Sequence, residues 1–176
     1  MKLRGVLLWL AAAVVLLSAG IRIPTAFSAD FLQKVSNEKK KTILYRGKVM
    51  MSTPSSLKWI YRKPTDKEVC SDGKRVIVVD HDLEQASFYR MEKKFDLAAV
   101  LRNARHYKEN LYVAKYGGKN YTIAVDSKGR IEQIAYRDDL DNVVNIRFTH
   151  VRYLSKPFNA TRLRCKIPKD YDRIGG

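Results

Sequence analysis

Histidine and cysteine are scarce, with three of the first and two of the second in 176 residues. None of His81, His106 and His150 is followed by another at four-residue spacing, so no helix face offers a paired metal site. A Gly-x-Ser-x-Gly elbow is missing, and neither cysteine has a histidine neighbour in sequence, which removes the usual signs of nucleophilic catalysis. "SDGK" (71–74) lacks the glycines of a phosphate loop. "DDLDN" (138–142) lacks the glycine and glutamate that would complete a calcium loop. These shortages argue against an enzyme; no catalytic residue, metal or cofactor is expected. Acid is short too. Lys and Arg number 34 against 18 Asp and Glu, a formal charge of +16.

Only one long apolar run exists, Val6 to Leu17. Lys2 and Arg4 precede it, and Ser18, Ala19 and Gly20 follow. A basic start, a short apolar core and a small-residue exit read as a cleaved secretory signal over residues 1–20. A spanning helix needs about 20 apolar residues, and Arg22 interrupts this run too soon. A later exit, after Ser28, would leave a long spacer. No cysteine lies in or just after the run to accept a lipid. The remaining 21–176 are expected to be one soluble, exported domain. Without Lys2 and Arg4 its charge is +16 − 2 = +14. Export makes nucleic acid a poor partner for that charge. Anionic membrane surfaces, acidic proteins or plain solubility remain as explanations. Export also makes a disulfide between Cys70 and Cys165 chemically accessible, with two separate buried thiols the alternative.

The rest of the chain is mostly of period two. "TILYRGKVMM" sets Tyr45, Val49 and Met51 against Arg46 and Lys48. "LKWIYRKP" sets Leu57, Trp59 and Tyr61 against Lys58, Ile60 and Arg62. Tyr121 and Ile123, then Ile146 and Phe148, repeat the pattern. Such alternation gives antiparallel strands with one covered and one wet face. Turns at "SDGK", "YGGK", "DSKGR" and "DLDN" join them. About eleven strands are expected, the first over Phe27–Val35, curved into a barrel or half-barrel. One stretch, "KKFDLAAVLRNARHYKE", instead spaces Phe95, Leu97, Val100, Leu101 and Ala104 by three and four, predicting a helix of about ten residues capped by Asp96. "CSDGKRVIVVDHDLEQA" (70–86) holds four acids, but they sit at turns and strand ends around "VIVV", which is apolar on both faces. "NAT" (159–161) matches a glycosylation sequon, a match common by chance.

In order along the chain, "DFLQKV", "YRGKVMMSTPSSLKWIYRKP", "CSDGKRVIVVDHDLEQA" with its Leu83-Glu84-Gln85 triplet, and "RLRCKIPKDYDRI" resemble the LolA family of periplasmic lipoprotein carriers. The resemblance covers residue 27 to the end, with the last motif as closing strand and tail. It implies a mainly β fold with few helices: an unclosed antiparallel half-barrel of about eleven strands, with an α-helical lid over an apolar cavity. The cavity would hold the acyl chains of lipoproteins. The implied partners are acylated lipoproteins, an inner-membrane ABC-type lipoprotein-releasing complex, and the outer-membrane acceptor LolB or a functional equivalent. Strand phase nominates Val49, Met51, Leu57, Trp59, Tyr61, Phe88, Tyr121, Ile123, Ile146 and Phe148 for the cavity. Leu97, Val100 and Leu101 are nominated for the lid. Family members often place a lid-latching arginine before the turn proline, but this chain has Thr53 before Pro54, so Arg46 and Arg62 are the latch candidates. The protein is expected to act as a monomer in the periplasm. A half-barrel envelope sensor or regulatory module is the rival reading. The acceptor itself would need a lipobox cysteine where this chain has "LSAGIR".

Overall fold

The structure, a computed structural model, describes residues 20–90 and 97–175. The expected signal peptide therefore lies outside the described residues, apart from Gly20. So do Phe95 and the expected helix cap Asp96.

Among the described residues, twelve strands form one sheet. They are β1 (Ala26–Ser36), β2 (Thr42–Ser52), β3 (Ser56–Lys63), β4 (Lys67–Ser71), β5 (Arg75–Asp80), β6 (Gln85–Arg90), β7 (Arg105–Lys108), β8 (Leu111–Tyr116), β9 (Lys119–Val125), β10 (Ile131–Arg137), β11 (Val143–Leu154) and β12 (Asp172–Ile174). Helix α1 (Leu97–Arg102) lies between β6 and β7, and α2 (Ala160–Leu163) follows β11. The sheet order is β12-β6-β5-β4-β3-β2-β1-β11-β10-β9-β8-β7. Two antiparallel meanders, β1–β6 and β7–β11, are thus joined through the β1–β11 pair, which extends from Ala26–Leu154 to Ser36–Val143 with one register shift between Ser28 and Asp30. β6 and β7, consecutive strands, lie near opposite ends of the order, so the sheet is an unclosed half-barrel and α1 bridges its gap.

One expectation is corrected. The helix is shorter than ten residues among those described, because the chain re-enters the sheet at Arg105. The motif "RLRCKIPKDYDRI" begins in α2 and ends in the closing strand β12, which pairs parallel with β6.

The core lines the concave side. Phe27, Phe31, Val49, Met51, Trp59, Ile123, Ile134, Ile146 and Phe148 belong to one buried cluster that Leu97, Val100 and Leu101 of α1 complete. Gly47 faces the same side. A side chain there would strike the Ile60 carbonyl and the Phe31 ring, so only glycine lets the ring cross the strand.

Turn chemistry absorbs the acids of residues 70–86. Asp72 accepts hydrogen bonds from the Lys74 and Arg75 backbone N–H at 2.9 and 2.8 Å. Asp80 pairs with Lys67 at 3.1 Å, and Asp82 accepts from the Asp66 N–H at 3.0 Å. Glu84 adopts a left-handed φ of 51°, and its carbonyl accepts from the Asp172 N–H at 3.0 Å, which starts β12 along β6. The "NAT" sequon also has a local role: the Asn159 carboxamide caps α2 by accepting from the Thr161 N–H at 3.1 Å.

Two other hairpins share one device. Asp126 accepts from the backbone N–H of Lys128 and Arg130, each at 2.9 Å, and from the Arg130 guanidinium at 2.7 Å. Asp138 accepts from the N–H of Leu140 and Asn142 and from the Asn142 side chain, all at 2.9 Å. Burial alone would raise both carboxyls, but these donors outweigh it and hold each below the usual carboxylate range. A carboxyl lowered by folding stabilises above its unfolded value of about 3.9, and that stability is lost as pH falls through the folded value. We expect thermal stability to decline below about pH 5, and the Asp126→Asn/Asp138→Asn double variant to decline less steeply there. Calorimetric melts at pH 7, 4 and 3 check this; equal acid slopes for the two proteins would refute it.

Candidate functional site: an apolar cavity under a short helix

Pairing across the sheet fixes which side chains share the concave face. Trp59 lies opposite Val49 on β2 and Val69 on β4. Leu57 lies opposite Met51 and Ser71, and Ser71 opposite Val76. Leu57, Trp59, Val69, Ser71 and Val76, together with Leu97 of α1, border a cavity of about 280 Å³. Its walls include Leu57, Trp59, Tyr61, Ile146, Phe148 and, from the helix, Leu97. Trp59 anchors one wall, with the Phe31 ring edge-on at 4.8 Å and Phe148 at 6.2 Å. The lining is mostly apolar. Its polar points are Ser71, Gln33, Tyr61 and Tyr136, and the Tyr61 hydroxyl donates to Gln33 Oε1 at 3.1 Å. Burial, helped by Tyr121 and Asp138, pushes Tyr136 up to about 12, and burial raises Tyr61 further. Both phenols stay neutral, so no charge develops in the cavity near neutral pH.

The nominated residues divide into three groups. Leu57, Trp59, Tyr61, Ile146, Phe148 and Leu97 border the cavity. Val49, Met51, Tyr121, Ile123, Val100 and Leu101 are buried in the adjoining core without lining it. Phe88 belongs to neither. It pairs with Ile77, Ile77 with Cys70, and Cys70 with Lys58, a row on the convex side of the sheet. The inward side of β6 carries Gln85, Ser87 and Tyr89 instead. Val69, Val76, Ile134 and Tyr136 also line the cavity, and alternation along their own strands would have found them.

"VIVV" is covered on both sides. Val76 lines the cavity, while Ile77 and the fully buried Val79 face the convex side, where the C-terminal segment packs. Cys70 and Cys165 form a disulfide that fastens this segment across a sequence separation of 95 residues. Beside it the Lys58 ammonium, nearly buried, lies 2.8 Å from Glu68 Oε2 and donates to the Arg164 carbonyl at 3.1 Å. Glu68, Cys70 and Cys165 bring possible ligand atoms within 4.8 Å of one another. Two of these atoms are disulfide sulfurs, and the third is held by Lys58, so the group is a structural clamp.

Neither latch candidate faces α1. Arg46 alternates to the convex side, and Arg62, at a bulge between the Arg46–Lys63 and Gly47–Tyr61 pairs, is bound to Asp66 at 3.0 Å. Thr53 instead ties β1 down, donating from its hydroxyl and its N–H to the Thr25 carbonyl. Apolar burial contributes to the hold of α1: Leu97, Ala98, Ala99, Val100 and Leu101 are all buried, and the helix packs chiefly on β8.

An open antiparallel half-barrel with a neutral apolar cavity roofed by a short helix defines a class of binding protein that encloses greasy ligands. Residues 24–115 match the family model "Outer membrane lipoprotein carrier protein LolA", slightly more than half of the chain, and the chain belongs to that family. It is 34% identical over 146 residues to the outer-membrane lipoprotein carrier protein of Wolinella succinogenes, covering 83% of this chain and 84% of that one. Identity to the protein of the same description in Campylobacter jejuni is 32% over 148 residues, covering 84% and 85%. A crystal structure of an uncharacterised conserved protein from Thermus thermophilus shares the fold at TM-score 0.52 and 12% identity, over 90% of this chain and 91% of that one. The family's named role is carriage rather than catalysis.

Proposed function

We propose that the protein is a monomeric periplasmic carrier. It takes lipoproteins leaving an inner-membrane ABC-type releasing complex, shields their acyl chains under α1, and passes them to an outer-membrane acceptor, LolB or an equivalent. The observation that carries this is the cavity itself: apolar, uncharged, and roofed by a short helix whose Leu97, Val100 and Leu101 are buried. Family membership favours this reading over a sensor module.

The energetics require a moving roof. At about 280 Å³ the cavity is at the lower limit of pockets for drug-sized ligands. An anchor of about three acyl chains is far larger, so α1 must swing outward to admit it. Exposing Leu97, Val100 and Leu101 costs about 6 kcal/mol, at about 2 each. Burial of about eight methylenes, at about 0.8 kcal/mol each, already offsets that. A helix of six residues has little stability of its own, so unseating it disturbs little else.

We further propose that the signal is cleaved near residues 19–20, not after Ser28. Cleavage after Ser28 would discard Phe27, which is fully buried in β1, and the bond from the Arg22 N–H to the Gly129 carbonyl at 2.8 Å. The intact mass of the exported protein distinguishes the two sites.

Release from spheroplasts tests the carrier reading. Incubated with spheroplasts holding radiolabelled lipoproteins and a matched releasing complex, the protein is expected to bring lipoprotein into the soluble fraction as a one-to-one complex. Lipoprotein that stays membrane-bound in the presence of folded protein would overturn it.

A further inference from the structure

The cavity leaves the charge of the chain unused, and the sheet shows where much of it lies. β1, β2 and β11 are adjacent and carry five cations, Lys34, Arg46, Lys48, Arg147 and Arg152, but only one carboxylate, Asp30. Register puts all five on the convex side: Arg46 opposite Leu32 and Leu32 opposite Arg147, Lys48 opposite Asp30, Lys34 opposite Asn145, and Arg152 opposite Ser28. Asp30 is already engaged, by His150 Nδ1 at 2.8 Å and Lys48 at 3.7 Å. The other four cations lie within ion-pair distance of no carboxylate among the described residues. Between them Leu32 and Leu44 are 39% and 49% exposed, where an ordinary wet face would carry polar side chains.

We propose that this face docks the protein on an anionic membrane surface. The cations do not converge on a point, as they would around an acidic peptide. They spread over three strands, in rows about 10 Å across two strand spacings, on a face that bulges outward. A layer of acidic headgroups meets such an array without needing register, and leucines among the cations can enter the interface. The proposal is independent of the cavity, which opens on the other side of the sheet.

Co-sedimentation with vesicles provides the test. The exported protein is expected to bind vesicles of phosphatidylethanolamine with phosphatidylglycerol, not phosphatidylcholine alone, and to release as salt is raised. Each cation near such a surface contributes about fivefold in partition, so Lys34→Gln/Arg46→Gln/Arg147→Gln should weaken binding about a hundredfold. Lys166→Gln/Lys169→Gln/Arg173→Gln, with equal charge removed from the tail, should weaken it far less. Equal losses in the two triple variants, no preference for anionic vesicles, or no binding at all would each overturn the proposal. A cavity-filling variant, Val76→Phe, should bind vesicles as the wild type does even where it fails to carry lipoprotein, which separates failure of docking from failure of carriage.

Discussion

Glutamate in place of Trp59 is expected to abolish the soluble lipoprotein complex, by at least about a hundredfold in the spheroplast release assay. Removing the indole forfeits about 3 kcal/mol of apolar contact in a wall shared with Phe31 and Phe148, and each 1.4 kcal/mol is a factor of ten. A carboxylate placed there has no described cation beside it, and acyl chains would have to displace its water. Trp59 is only 9% exposed, so the same change also strains the fold. Val76→Phe separates the two effects. Val76 borders the cavity, and a phenyl ring grown into about 280 Å³ of space fills it without cutting a contact. If the space were merely imperfect core, this variant would hold or raise the melting temperature and carry lipoprotein normally. If acyl chains enter it, the variant stays folded and loses carriage. A folded Val76→Phe protein with wild-type release would sink the assignment of the cavity.

Strand phase was legible in the chain because most strands have one covered face. Val49, Met51, Leu57 and Trp59 alternate with Lys48, Met50 and Lys58, and all four are buried. The failure at Phe88 shows the limit of that reading. "QASFYR" alternates clearly, and Ala86 and Phe88 are its more apolar set. Period two says which set is covered but not on which side of the sheet the cover lies. Here the cover is the C-terminal segment, brought to the convex side by a disulfide and by β12 pairing from far along the chain. "VIVV" carried the missing signal, since a strand apolar on both faces needs two covers. Bulges were likewise invisible. The register slips beside His150, which takes a left-handed φ of 51°, and beside Arg62, and each slip turns the side chains beyond it. Such slips depend on cross-strand partners, which a single strand does not encode.

The convex cover leads to the second large effect. Replacing both cysteines, in Cys70→Ser/Cys165→Ser, is expected to lower stability by about 4–5 kcal/mol, because the freed loop spans 95 residues and closing so long a loop removes much unfolded-chain entropy. For a domain of this size that is a fall of roughly 8–20 °C in melting temperature. A dithiol reductant should move the wild type by the same amount and leave the double variant unmoved. The damage should also be local in the native state. Once the disulfide is gone, the tail is held by the Lys58–Arg164 contact, the His81–Tyr171 hydrogen bond at 3.0 Å and the three residues of β12. Trypsin should then cut at Lys166 and Lys169 well before it reaches the strands. Lipoprotein release below the lowered melting temperature should survive, since no described residue of the tail lines the cavity. A melting temperature within about 2 °C of wild type would mean that the sheet and tail are held by packing alone. Loss of release in a protein still folded would mean that the convex cover, through β4 and β5, sets the shape of the cavity on the other side.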